Sequence, residues 1–213
     1  MSFYSTTCQI ISLPFYEILD KIFLINFCMR NLKTNLNSLI EAAEKTRELA
    51  DSADKICAAL ASCIRGGGTI FTCGNGGSAA DAMHFAEELT GKYKAVRRPL
   101  RGVCLNSDAA ALTCIANDFG YESVFSRQLE ALGRKSDAVL IFTTSGNSAN
   151  QIAAVKKARE LGITSVVLSG RGGGECSKIS DLCLVVPSDD GARIQEIHGL
   201  ILHTIIDAIE EIV

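Results

Sequence analysis

His84 and Glu88 stand four residues apart in a stretch with a helical pattern, so one helix face would carry both. Imidazole and carboxylate are competent ligands for zinc or a similar divalent ion. Alone, such a pair is more commonly a solvated ion pair. A second stretch, RIQEIHGLILHTIID, carries Gln195, His198 and His203, so it holds two of the chain's three histidines and His84 is the third. Gln195, Gly199 and His203 follow an i, i+4, i+8 stripe, whereas His198 is turned about 140° from His203 on an ideal helix. His198 is therefore read as structural. Gln195 and His203 lie about 12 Å apart along an ideal helix, a long reach for one ion. Either Gln195 sits in an irregular first turn, or the site draws these residues from different protomers.

Two loops add a second kind of chemistry. GNGGS at 74–78 and TTSGNS at 143–148 each follow an apolar run and open a helical pattern. Glycines let backbone approach a ligand, and the N–H groups of a helix start favour an anion. The hydroxyls of Thr144, Ser145 and Ser148 add donors for phosphate oxygens without adding charge. Helix-capping serines give the same pattern with no ligand. Neither loop matches G-x-x-x-x-G-K-[ST], and the first lacks G-x-G-x-x-G spacing, which argues against a nucleoside triphosphatase and a dinucleotide fold. Hydroxyl-rich contacts without a P-loop lysine suit a small sugar phosphate.

The elements that must position these residues alternate. Helical spacing runs from Leu32 to Ile64, with a break or cap expected at Asp51, Ser52 and Asp54. Strands are expected at 69–73, 101–106, 138–143, 164–169 and 182–186. Helices are expected from the first loop to about 89, over most of 107–133, and at 149–161, 176–179 and 192–213. Strands alternating with helices, without hairpin signals, predict an α/β fold: a doubly wound five-stranded parallel sheet with N-terminal helices. Ligands of such sheets sit beyond the C-terminal ends of the strands.

The 213 residues suit one sizeable domain and are marginal for two, and 47% are hydrophobic, enough for a packed core. A formal net charge of -3 with dispersed basic residues gives no reason to expect nucleic-acid or membrane partners. Nine cysteines without a C-x-x-C pair read as small buried hydrophobes in a reducing cytosol, so the expected location is cytoplasmic. Residues 1–31 read as an N-terminal extension. The stretch before Met29 is apolar but holds Pro14, Glu17, Asp20 and Lys21, and suits neither a membrane span nor a signal peptide. It is either an extra helix or an addition ahead of a natural start at Met29, and the second reading is preferred.

CGNGGSAADAMHFAEELTGKY, ANDFGYESVFSRQLEALG, TTSGNSANQI and VPSDDGARIQEIHGLILH together resemble the phosphoheptose isomerase family of sugar-isomerase (SIS) domains, over residues 32–213. The resemblance implies a SIS/flavodoxin-like fold and a homotetramer with active sites between subunits. It implies zinc bound by His84, Glu88, Gln195 and His203. It implies substrate contacts from Asn75, Gly76, Gly77, Ser78, Glu88, Asn117, Asp118, Thr143, Thr144, Ser145, Ser148 and Gln195, and an acid–base pair of Glu88 and His203. The implied activity is isomerisation of sedoheptulose 7-phosphate to D-glycero-D-manno-heptose 7-phosphate through an enediol(ate), supplying heptose for lipopolysaccharide or other surface glycans. Ala79, Ala80 and Thr143 depart from the family's usual residues, and none of them removes a required chemical group. The alternative is a non-catalytic SIS binding protein of the replication-initiator-associating type, which lacks the full acid–base set. A sugar-phosphate sensor and an isomerase of another sugar phosphate are further rivals.

Overall fold

Five short apolar runs form the strands: β1 (Ile70–Gly74), β2 (Gly102–Cys104), β3 (Ala138–Phe142), β4 (Thr164–Ser169) and β5 (Leu182–Val185). The structure, a computed structural model, describes residues 14–213. All strand pairings are parallel, in the order β2-β1-β3-β4-β5. Side chains alternate across a strand, so each face takes every second residue. Phe71, Cys73, Val139, Ile141 and Val167 pack into one buried cluster with Phe125, Leu129, Ala154 and Val155. That cluster lies under α4 (Ala109–Phe119), α5 (Ser126–Leu132), α6 (Ala149–Leu161) and α7 (Gly174–Ile179). The opposite face meets α2 (Ala50–Arg65), α3 (Gly77–Thr90) and α8 (Gly191–Glu210). There Phe142 meets Phe85 of α3 and His198 of α8, and the Thr72 hydroxyl donates to the Ala82 carbonyl at 2.7 Å. β1 and β3 are buried along their whole length, as a sheet covered on both faces requires. The expected doubly wound parallel sheet is the observed one.

Packing divides the chain into a unit ending at Glu41 and a unit Ala42–Val213. The first consists, among the described residues, of the greater part of helix α1 (Phe15–Thr46), on which Leu32, Leu36 and Ile40 are exposed. The helical pattern thus starts at Phe15 rather than Leu32. Residues 1–13 of the expected extension lie outside the described residues. The second unit holds the sheet and every residue of interest.

Several boundaries differ from expectation. The helical break is a 3-10 turn at Arg47–Leu49, ahead of Asp51. The Thr46 hydroxyl bonds back to the Ala42 carbonyl at 2.7 Å, an interaction that loosens the last turn of α1. Asp51 falls in the first turn of α2, where a carboxylate complements the helix dipole. β2 is shorter than 101–106. Asn106 leaves the strand and uses its amide to accept from the Gly74 N–H at 3.1 Å and donate to the Gly74 carbonyl at 2.9 Å. It thereby supplies the end of β1 with the partner β2 no longer offers. α8 begins at Gly191, where the Asp190 carboxylate accepts from the Ala192 N–H at 2.9 Å, and ends at Glu210 rather than Val213.

Candidate active site

β1 and β3 are neighbours, but β1 continues to β2 on one side and β3 to β4 on the other. Their C-terminal ends form the topological switch point, where open α/β sheets bind ligands. A small cleft of about 70 Å³ lies there, lined by Asn75, Ser78, Thr143, Thr144, Ser145, Ser148, Gln151 and Gln195. Every lining side chain is neutral. The starts of α3 and α6 adjoin it, so two sets of helix N-terminal dipoles favour an anion. Ser148 occupies the N-cap of α6, yet its side chain makes no capping bond. The capping explanation for this serine therefore fails. The buried Thr143 hydroxyl accepts from the Gly146 N–H at 3.1 Å and shapes the turn, whose Gly146 holds φ 65°. A Cβ at Gly77 would lie 2.5 Å from Gln195 Nε2, so the Gln195 amide sits directly against the first loop.

The Asn75 side chain is held in an amide pair with Asn150, at 3.0 and 2.9 Å, and accepts from the Tyr121 hydroxyl at 3.1 Å. Asn150 is 2% exposed, so this pair fixes the first loop against α6 from inside. Gln151 also walls the cleft. Its Nε2 donates to the Phe142 carbonyl at 2.8 Å, while its buried Oε1 has no partner among the described residues. A ligand hydroxyl would satisfy it. The sequence offered no signal for Asn106, Tyr121, Asn150 or Gln151, because each acts through a contact distant along the chain.

The second cluster lies further along the same helices. His84 and Glu88 of α3 and His203 of α8 place one ligand-capable atom each within 4.8 Å of one another. His84 Nε2 stands 3.2 Å from Glu88 Oε1, and the Glu88 side chain is only 12% exposed. Two imidazoles and a carboxylate fit zinc, whose catalytic sites take three protein ligands and leave a position for water or substrate. Gln195 lines the cleft, two turns earlier on α8 than His203. α8 is regular helix from Gly191, so of the two alternatives for Gln195 the irregular first turn is not formed. Asn117 and Asp118 sit exposed at the end of α4, hydrogen-bonded to each other at 2.7 Å, and do not wall the cleft. Burial raises Asp81 of α3 to about 6, with His84 opposing the shift. His198 is fully buried and its Nε2 faces the Ser169 carbonyl at 3.3 Å; burial lowers its pKa to about 4. It is structural, as its place on the helix predicted.

The SIS domain family matches residues 33–170. Phosphoheptose isomerase 1 of Campylobacter jejuni subsp. jejuni serotype O:2 is 54% identical over 157 residues, 74% of this chain and 84% of that protein. The chain belongs to the phosphoheptose isomerase family. The phosphoheptose isomerase of Helicobacter pylori strain P12 is 48% identical over 179 residues, 84% of this chain and 88% of that one. The solved structure of the Neisseria gonorrhoeae phosphoheptose isomerase superposes with a TM-score of 0.82 at 39% identity, covering 86% of this chain and 99% of that one. The Francisella tularensis phosphoheptose isomerase superposes with a TM-score of 0.80 at 34% identity. Family membership makes the chain an isomerase, and the non-catalytic binding reading is not favoured.

Proposed function

We propose that the chain interconverts sedoheptulose 7-phosphate and D-glycero-D-manno-heptose 7-phosphate. The observation that carries this reading is the pairing of a neutral anion cleft with a His–Glu–His cluster on the same two helices. Ser78 and His84 are six positions apart on α3, and Gln195 and His203 eight positions apart on α8, so the two sites are offset by about 9 to 12 Å. An extended seven-carbon sugar phosphate has its phosphate and its reacting carbons at opposite ends, on that scale. The phosphate would accept hydrogen bonds from Ser78, Thr144, Ser145, Ser148 and the N–H groups opening α3 and α6.

The reaction moves one carbon-bound proton and one oxygen-bound proton. Glu88 takes the proton from C1 of the ketose, giving an enediol(ate), and returns it to C2. His203 passes a proton from the C1 hydroxyl to the C2 oxygen. Glu88 and His203 are close enough to serve adjacent atoms of one ligand. His84, Glu88 and His203 would hold zinc, with Gln195 as a further ligand. Bound zinc would supply Lewis-acid polarisation of the carbonyl.

Assembly completes the reading. Leu200 on α8 is 56% exposed, and Leu32, Leu36 and Ile40 on α1 are also exposed; apolar helix faces of this kind suit packing between copies of the chain. A homotetramer with shared sites would also relieve the separation of Gln195 from His203, and would bring Asn117 and Asp118 to a neighbour's cleft. The free cysteines suit a reducing cytoplasm, and no helix among the described residues is long and apolar enough to cross a membrane. Heptose for lipopolysaccharide or another surface glycan is the proposed destination. The test is incubation with sedoheptulose 7-phosphate, following aldose formation with and without added zinc. No aldose under either condition refutes the assignment.

A further inference from the structure

Residues 91–98, between α3 and β2, have no regular secondary structure, yet they lie against the C-terminal half of α8. The backbone N–H groups of Lys94 and Ala95 donate to Glu210 Oε2 at 3.3 and 3.1 Å. Arg97 Nε donates to Glu210 Oε1 at 3.0 Å, and the two side chains are only 7% and 9% exposed. The same guanidinium reaches the other way, to the carbonyls of Glu88 at 2.6 Å and Leu89 at 3.0 Å. Carbonyls in the last turn of a helix lack intrahelical donors, and a cation there also complements the dipole. Arg97 is thus a fork joining the end of α3 to α8, the two helices that carry Glu88 and His203. Its planar, bidentate geometry makes the joint directional in a way a lysine could not.

The strap also delivers an aromatic ring. Tyr93 stacks on His203 with centroids 5.5 Å apart and planes 14° from parallel. His84 meets the His203 ring edge-on, at 5.2 Å and 78°. Lys94 holds the strap from outside, its Nζ 2.6 Å from Asp207 Oδ1 and 4.8 Å from the Tyr93 ring centroid. The terminal torsion of a histidine is broad, so an unconfined imidazole samples many orientations. Here a stacked ring limits rotation on one side and an edge contact limits it on another.

We propose that Tyr93, fastened by the Arg97–Glu210 pair, is a positioning residue that sets the orientation of the His203 imidazole toward Glu88. It acts through His203, and it does not line the anion cleft. The catalytic consequence rests on the isomerase reading; the geometric claim does not.

The test compares full-length wild type, Tyr93→Phe, Tyr93→Leu and Lys156→Ala. Misplacing a reacting group by a fraction of an ångström to 1 Å costs roughly tenfold to a hundredfold in rate, so Tyr93→Leu should lose that much kcat with KM unchanged. It should also alter the visible spectrum of the cobalt-loaded protein and speed zinc loss to a chelator. Tyr93→Phe keeps the stacking ring and should restore all three properties. Lys156 is exposed on α6, outside the strap, and Lys156→Ala should match wild type. Wild-type kcat, cobalt spectrum and zinc release in a folded Tyr93→Leu would overturn the proposal. So would a Tyr93→Phe as impaired as Tyr93→Leu, because the hydroxyl rather than the stack would then matter. A wild-type protein without turnover would refute the isomerase reading, while the cobalt spectrum and zinc release would still test the strap.

Discussion

Replacing His198 with leucine should stabilise the protein in mild acid and leave its chemistry intact. The His198 side chain is fully buried against Phe142, and its Nδ1 has no partner among the described residues. Burial lowers its pKa from 6.5 to about 4, while the contact to the Ser169 carbonyl opposes the shift. Between those values the unfolded chain binds a proton that the folded chain refuses. Stability is therefore full above about pH 6.5 and falls as the pH drops toward 4. Linkage puts the loss between pH 7 and pH 5 at about 2 kcal/mol, from a slope of about 1.4 kcal/mol per pH unit that is only partly developed near 6.5.

His198→Leu removes this loss. It leaves no orphan behind, because the Ser169 carbonyl already accepts from the Val186 N–H at 2.8 Å. An apolar side chain of similar size costs little in such a site. Asp81, raised by burial, has the opposite sign: the stability it contributes is present in acid and lost as pH rises through about 6. It is common to both proteins and cancels in their difference. The assay is urea unfolding of wild type and His198→Leu at pH 7 and pH 5, at one protein concentration. The expected result is near-equal stability at pH 7 and an advantage of about 2 kcal/mol for the variant at pH 5. Equal losses in the two proteins would refute the buried neutral imidazole. Reduced zinc content in His198→Leu would refute its separation from the metal cluster.

Glu88→Gln should lower turnover at least a hundredfold, the usual scale for an acid–base group, with substrate binding largely kept; near wild-type kcat would remove Glu88 from the base role. A chain starting at Met29 should remain soluble and active, since every site residue lies beyond it, and aggregation of the shortened chain would show that the earlier residues cover apolar surface. Sedimentation should give a tetramer, and a mixture of Glu88→Gln with a variant blocked at Gln195 should regain activity after subunit exchange. A monomer, or a tetramer without rescue after proven exchange, would place the paired residues within one chain.

Much of this molecule follows from local pattern. Fully apolar runs such as Ala138–Phe142 have to be buried strands, and the helices between them force parallel pairing. The glycine and hydroxyl loops at 74–78 and 143–148 follow strands, so they fall at the ligand end of the sheet before any coordinate is known. The i, i+4 spacing likewise puts His84 and Glu88 on one face and turns His198 away from His203. The sequence determines these features because each depends on a repeat of two or 3.6 residues, or on a motif read in one short stretch.

Other features depend on contacts between distant segments, and those only packing decides. His203 comes beside His84 because α3 and α8 cover the same face of the sheet, more than a hundred residues apart in the chain. The Asn75–Asn150 amide pair and the Asn106 clasp on Gly74 arise the same way, from neutral side chains with no recurring spacing. The α1–α2 break falls at Arg47–Leu49 rather than at the residues with cap-forming side chains, next to Thr46, whose hydroxyl bonds back to the Ala42 carbonyl. Above all, Arg97 reads in the sequence as one of the dispersed basic residues. Only the fold turns it inward, between the end of α3 and Glu210, because a buried guanidinium is tolerable only where a carboxylate and free helix carbonyls converge on it.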